Sequence, residues 1–166
     1  MRNIIGVEKK RQIALEDQFP NLLSLVQGEP PEEYIYLAVS VFDHWLNYEE
    51  SMELLNMPER EEIERRCHMF DSFNKLLIEN TNIYTFRFKG RKKTSPLFKS
   101  FTSQSSKYNY LKQKDMGEYK VVLPDFGAAY FEGYDDTNIF YLTDLSIKPT
   151  IEMWAKQTGL YCLEHR

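Results

Sequence analysis

The chain has 166 residues, 42 % apolar and 14 % aromatic, with a formal net charge of −4. That composition excludes wholesale disorder, and the length is ample for one packed core without disulfides or metals. Two cysteines, Cys67 and Cys162, make neither a disulfide framework nor a CxxC zinc spacing, so each reads as a small buried apolar residue. The N-terminal MRNIIGVEKKRQ has no apolar signal region. The longest apolar run, Tyr34 to Phe42, is far shorter than the ~20 residues that span a bilayer. A cytoplasmic protein with no membrane partner is expected.

In chain order, residues 5–17 predict a helix, and Pro20 permits a short second one through Val26. Gly28-Glu29-Pro30-Pro31 is a break. Beyond it, Tyr34, Leu37, Ala38, Val41, Phe42, Trp45, Met52 and Leu55 match a 3.6-residue spacing. They predict one long helix, with Pro31, Glu32 and Glu33 in its first turn and Trp45 buried on its stripe. Pro58 opens a further helix to about Glu79, with Ile63, Cys67, Phe70, Phe73, Leu76 and Leu77 inward and Glu59 to Arg66 outward. Ile83 to Phe88 then alternates as a half-buried strand, placing Tyr84, Phe86 and Phe88 on one face.

Residues 89–117 give no clear period and are expected to be the least ordered part. Three strand-like runs follow: Tyr119 to Leu123, Ala128 to Glu132 and Thr137 to Thr143. They are joined by the turn clusters Pro124-Asp125-Phe126-Gly127 and Gly133-Tyr134-Asp135-Asp136, whose brevity favours antiparallel neighbours. Pro149 starts a last helix with Ile151, Trp154 and Ala155 inward. Gly159 ends it, and Leu160 to Leu163 returns as a strand. The prediction is a single-domain α+β fold: N-terminal helices (about 1–80) packed on a C-terminal, mainly antiparallel sheet (about 83–166), with a late helix before the last strand.

Charge is distributed in blocks. Residues 1–86 carry 8 Lys/Arg against 16 Asp/Glu, whereas residues 87–120 carry 10 against two, Asp115 and Glu118. Residues 121–144 hold Asp125, Glu132, Asp135, Asp136 and Asp144 and no basic residue, interleaved with Phe126, Tyr130, Phe131, Tyr134, Phe140 and Tyr141. Tyr134, Asp135 and Asp136 fall in a turn and are expected to be exposed. Carboxylates beside exposed tyrosines suit a basic protein surface, because aromatic anchors supply binding energy and charge supplies steering. Solvated turns are the plain reading of the same residues. The basic block, Arg87, Lys89, Arg91, Lys92, Lys93, Lys99, Lys107, Lys112 and Lys114 with Phe98, Phe101, Tyr108 and Tyr110 between, has the residue types of a nucleic-acid surface. The overall acidity, with a pI near 5.5, argues against nucleic acid as the partner, and Lys-rich loops also serve to blunt sheet edges.

No catalytic constellation is complete. His44, His68 and His165 form no metal-ligand spacing, Cys67 and His68 are helix neighbours that do not face each other, and no phosphate-cradling glycine loop or GxSxG occurs. Pro124-Asp125 followed by Glu132 superficially resembles the PD-(D/E)xK nucleases, but Tyr134 stands where that pattern requires Lys. Asp125 and Glu132 still offer oxygens to a hard cation, so a metal-dependent hydrolase or nuclease stays the lesser alternative, behind a nucleic-acid-binding accessory protein using residues 87–114. No catalytic residue, metal or cofactor is expected. The acidic-aromatic hairpin YFEGYDDTNIFY (130–141) and the acidic segment NYEESMELL (47–55) resemble, in general style, the immunity proteins of bacterial polymorphic-toxin and contact-dependent inhibition systems. That resemblance implies a non-enzymatic protein that occludes the basic face of a toxin domain. The partner-binding residues would be Tyr134, Asp135, Asp136, Glu132, Asp125, Glu49, Glu50 and Glu53.

Overall fold

The computed structural model describes residues 2–90 and 94–164. Its centre is an eight-stranded sheet in the order β1-β4-β3-β5-β6-β7-β2-β8, and every strand pairing is antiparallel. The strands are β1 (Ile4–Gly6), β2 (Ile35–Ser40), β3 (Tyr84–Lys89), β4 (Ser95–Phe101), β5 (Lys120–Leu123), β6 (Ala128–Phe131), β7 (Thr137–Leu142) and β8 (Tyr161–Glu164). Six α-helices, α1 (Lys9–Gln18), α2 (Leu22–Val26), α3 (Tyr48–Leu54), α4 (Arg60–Asn80), α5 (Gln104–Tyr110) and α6 (Lys148–Gln157), complete the α+β fold. Among the described residues no helix is long and apolar enough to cross a membrane.

Helices cover both faces of the sheet. Leu37, Val39, Val121, Tyr130 and Phe140 meet Phe70, Phe73 and Leu77 of α4 and Ile151 and Trp154 of α6. The alternate residues, including Val122, Ala129, Phe131 and Tyr141, meet Leu15, Phe19, Leu22 and Leu25 of α1 and α2. This division follows from the pleat, which sends successive side chains to opposite faces.

The long helix expected over residues 32–55 does not form. The heart of the Tyr34 to Phe42 run, Ile35–Ser40, becomes β2, which lies between β7 and β8 and places apolar side chains in both cores. A continuous apolar run satisfies a period of 3.6 as readily as it satisfies a strand buried on both faces, and its Ile, Val, Tyr and Phe favour the strand. Pro31 opens a turn instead, closed by the Tyr34 N–H on the Pro31 carbonyl at 3.1 Å. Helix resumes only at α3, where Asn47 and Glu50 form a reciprocal capping box. Trp45 thus lies in the connection between β2 and α3, partly buried, whereas Trp154 is buried as expected. Two of the eight strands, β1 and β2, come from the part of the chain expected to be all helical. Residues 89–117 contain β4 and α5, the latter closed by a Ser103–Ser106 capping box, so the segment has regular structure. Arg91, Lys92, Lys93 and His165 lie outside the described residues.

Candidate functional site

The β6–β7 connection carries the acidic-aromatic tip. Asp135 and Asp136 both take left-handed φ values, +58° and +54°, which Asp tolerates better than most residues. Gly133 is needed because a Cβ there would meet the Thr137 carbonyl at 2.0 Å. Tyr134 is 68 % exposed, and its ring lies so close over Gly117 that a Cβ on that glycine would meet it at 2.9 Å. The tip therefore leans on the loop of residues 111–118.

Three of the expected partner residues are structural. Glu132 is buried, and its carboxylate accepts the backbone N–H groups of Lys114 (2.6 Å), Asp115 (2.8 Å) and Glu118 (2.7 Å). Asp136 is also buried: its carboxylate accepts Arg66 Nη1 at 2.8 Å, and its N–H donates to Asp115 Oδ1 at 2.8 Å. Neither carboxylate is available to a partner, because both are buried and already accept backbone or guanidinium donors of the chain itself. Asp125 sits at the other end of β6, where its Oδ2 accepts Thr81 Oγ1, Asn82 N and Asn82 Nδ2 and ties the end of α4 to the β5–β6 turn.

Arg66 itself was expected on the outer face of α4 and is buried instead. It bonds Glu62, the Leu54 carbonyl and Asp136, with its guanidinium 5.2 Å from the Phe42 ring centroid. The signal that could have found it is spacing: Arg66, Phe70, Phe73, Asn74 and Leu77 share one helical stripe. Asn74 on that stripe joins a fully buried polar network with Gln113, Tyr119, Tyr130 and Asn138. Tyr130 donates to Asn74, Tyr119 donates to Gln113, and the Asn138 amide reaches Gln113 and both tyrosines. Asn138 Oδ1 also accepts the Gly133 N–H, so the hairpin is fixed from below. Among the described residues, every buried side-chain N or O atom has a partner.

Asp115 bridges these parts under electrostatic strain. Burial, then the neighbouring Asp136 carboxylate, pushes its carboxyl up to about 7, with Asp135 and Glu132 adding to the rise. A carboxyl raised in the folded state stabilises fully below its ordinary 3.8, and that stability is lost as pH climbs through about 7. Asp115→Asn keeps the acceptor for Asp136 and tolerates the positive φ. It should leave stability at pH 4 unchanged and raise it at pH 8 by ~1–2 kcal/mol after allowance for solvent screening. Urea unfolding at both pH values checks this; an equal difference at each would show that the Asp115 charge is not strained.

Above the sheet face that bears Tyr36, Ile139 and Leu163 lies a cleft of about 420 Å³. Helices α1 and α2 cover the other half of this face, and the residues 41–55 roof this half. Tyr36, Phe42, Trp45 and Tyr134 give the cleft four aromatic walls, with His44, Asp135 and the Ser40–Thr137 hydroxyl pair among the polar groups. Trp45 Nε1 donates to the Glu164 carbonyl at 2.7 Å, and the Tyr36 and Trp45 ring centroids are 6.3 Å apart. Ser51 and Leu55 bring α3 into the lining, so the two sequence segments singled out, 130–141 and 47–55, converge on one cleft. Glu49 and Glu53 are on the opposite side of α3, each roughly 160° around the helix from the lining residue Ser51. Glu50 is outside the lining but bonds a residue in it: one oxygen accepts the Asn47 N–H, and the other meets His44 Nε2 at 2.9 Å. Asp43 holds the other ring nitrogen, and these bonds, Asp43's first, raise the His44 pKa.

The other candidate sites fit function less well. Phe98 of the basic block is buried, and Phe101 and Tyr110 pack on each other with centroids 5.2 Å apart. Tyr108 is the exposed ring, bonded to Glu79 at 3.3 Å, so little aromatic surface remains there for stacking bases. Cys67 and Cys162 are partly buried, and burial pushes the Cys162 thiol up to about 11, which keeps it protonated at neutral pH. Among the described residues no three His, Cys, Asp or Glu side chains are grouped to hold a metal ion. Comparison with protein-family models, curated proteins and solved structures returns no match.

Proposed function

We propose that this protein is a non-enzymatic binding module that engages a basic surface of a protein partner through the aromatic cleft, in the manner of an immunity protein covering a toxin domain. One observation carries this reading. The hairpin tip and α3, some eighty residues apart in sequence, meet at a single cleft whose walls are aromatic, with Asp135 in its lining and Asp43 and Glu50 bonded to the lining residue His44. Aromatic anchors in a concave site with carboxylates around it combine the energetic and the steering parts of an interface. The occluding role needs no chemistry on this chain, and the immunity assignment rests on the resemblance of segments 47–55 and 130–141.

The test is to isolate the partner by co-purification from the native host and measure binding kinetics at two salt concentrations. Asp135→Asn should slow association and flatten its salt dependence. Tyr134→Ala should instead speed release, costing ~2 kcal/mol or more. Asp136 is not a fair probe, because it is part of the buried framework. Rates unchanged in both variants would remove the cleft as the interface. Binding that follows Arg87 and Lys99 instead would place it on the β3–β4 hairpin.

A further inference from the structure

The cleft has a chemistry more specific than a generic acidic surface. It is walled by four aromatic rings, with Phe42 in the roof and Tyr134 on the hairpin of Asp135, and its lining carries one carboxylate, Asp135, whose side chain has no hydrogen-bond or ion-pair partner among the described residues. By contrast, Glu132, Asp136 and Asp125 are committed to donors of the chain itself. His44 sits between Asp43 and Glu50, so that group of three keeps a negative charge even when the imidazole is protonated.

From this juxtaposition of aromatic walls and an unpaired carboxylate, we propose that the cleft is an arginine-reading site: it takes a guanidinium side chain of the basic partner, in preference to lysine. The inference rests on the proposed protein-binding role and specifies its chemistry. A guanidinium is planar and weakly hydrated. It stacks on aromatic faces while its edge donates to a carboxylate, whereas an ammonium is a compact, strongly hydrated charge that a largely apolar cleft would have to strip of water. One of these walls already makes such a contact outside the cleft, since Phe42 carries the buried Arg66 guanidinium 5.2 Å from its ring centroid. Trp45 is held in place by its bond to the Glu164 carbonyl, so its wall is set before a ligand arrives. The volume of about 420 Å³ accommodates an arginine side chain together with the backbone on either side of it.

The probe is a blocked tripeptide, acetyl-Gly-Arg-Gly-amide, compared with its lysine and citrulline counterparts. In Trp154→Phe, Trp45 is the sole indole and its emission reports occupancy. Backbone NMR shifts at Gly133 and Tyr134 in the unaltered chain give a second measurement that does not depend on that variant. The arginine peptide should saturate both signals and bind about tenfold more tightly than the lysine and citrulline peptides. Asp135→Asn should erase most of its advantage over citrulline, and added salt should weaken it. Equal binding of lysine and arginine, or no saturable response to the arginine peptide, would overturn the inference. A protein partner that contacts the cleft without an arginine in its footprint would overturn it too while leaving the broader role standing. A partner docking elsewhere would overturn the broader role even if the tripeptide bound.

Discussion

Glu132→Ala is expected to destabilise the protein by ~3–5 kcal/mol, a large effect for a residue that looks, in sequence, like a surface acid in a hairpin. The carboxylate is 3 % exposed and receives three backbone N–H bonds from the loop of residues 111–118. Bonds to an ionised acceptor are stronger than neutral ones, and removing the acceptor strands three donors in a site where alanine leaves no oxygen to replace it. Glu132→Gln should cost roughly half as much by the same reasoning. Its remaining oxygen can keep the Lys114 and Asp115 donors, but its amide nitrogen would face the Glu118 N–H. The loop also carries Asp115, which holds Asp136, and Gly117, on which Tyr134 rests. Loss of the carboxylate should therefore move the Tyr134 resonances as well as the urea midpoint. A cost below ~1 kcal/mol for the alanine variant would mean that the loop is held by other contacts.

How legible such a residue is depends on where its partners come from. The strands around Tyr119–Leu123, Ala128–Glu132 and Thr137–Thr143 were readable because alternation and the Gly, Pro and Asp turn residues are local signals. The last helix and its Gly159 cap were readable for the same reason. Strand β2 was not, since Tyr34 to Phe42 is apolar at every position but one and fits both periods. Its identity as a strand is decided by β7 and β8, which come from the other end of the chain. Strand β1, three residues long, is too short to show a period. At the site, the exposure of Tyr134 and Asp135 was legible from the turn. The burial of Asp136, next in sequence, depends on Arg66 seventy residues earlier, and the role of Glu132 depends on loop N–H groups that carry no side-chain signature. Convergence of segments 47–55 and 130–141 on one cleft is likewise a property of sheet order, with β2 beside β7.

Arg66→Met should cost ~3–5 kcal/mol, the range for removing one partner of a buried ion pair. Methionine keeps the apolar stem but leaves the Asp136 carboxylate without its guanidinium and the Leu54 carbonyl at the end of α3 without its donor. Burial already holds the Asp136 carboxyl above its ordinary range, with Arg66 pulling it back down. In the variant only the upward push remains. A carboxyl raised in the folded state loses its stabilising contribution as pH rises, so the deficit should be larger at pH 8 than at pH 5. Adding Asp136→Asn to Arg66→Met removes the unpaired charge and should recover ~2 kcal/mol, because a buried pair replaced at both ends costs far less than one broken at one end. Denaturant unfolding of the two single variants and the double variant at both pH values separates the causes. A deficit independent of pH and unrelieved in the double variant would trace the loss to packing against Phe42, making Arg66 a space-filling stem and not the charge that anchors the hairpin.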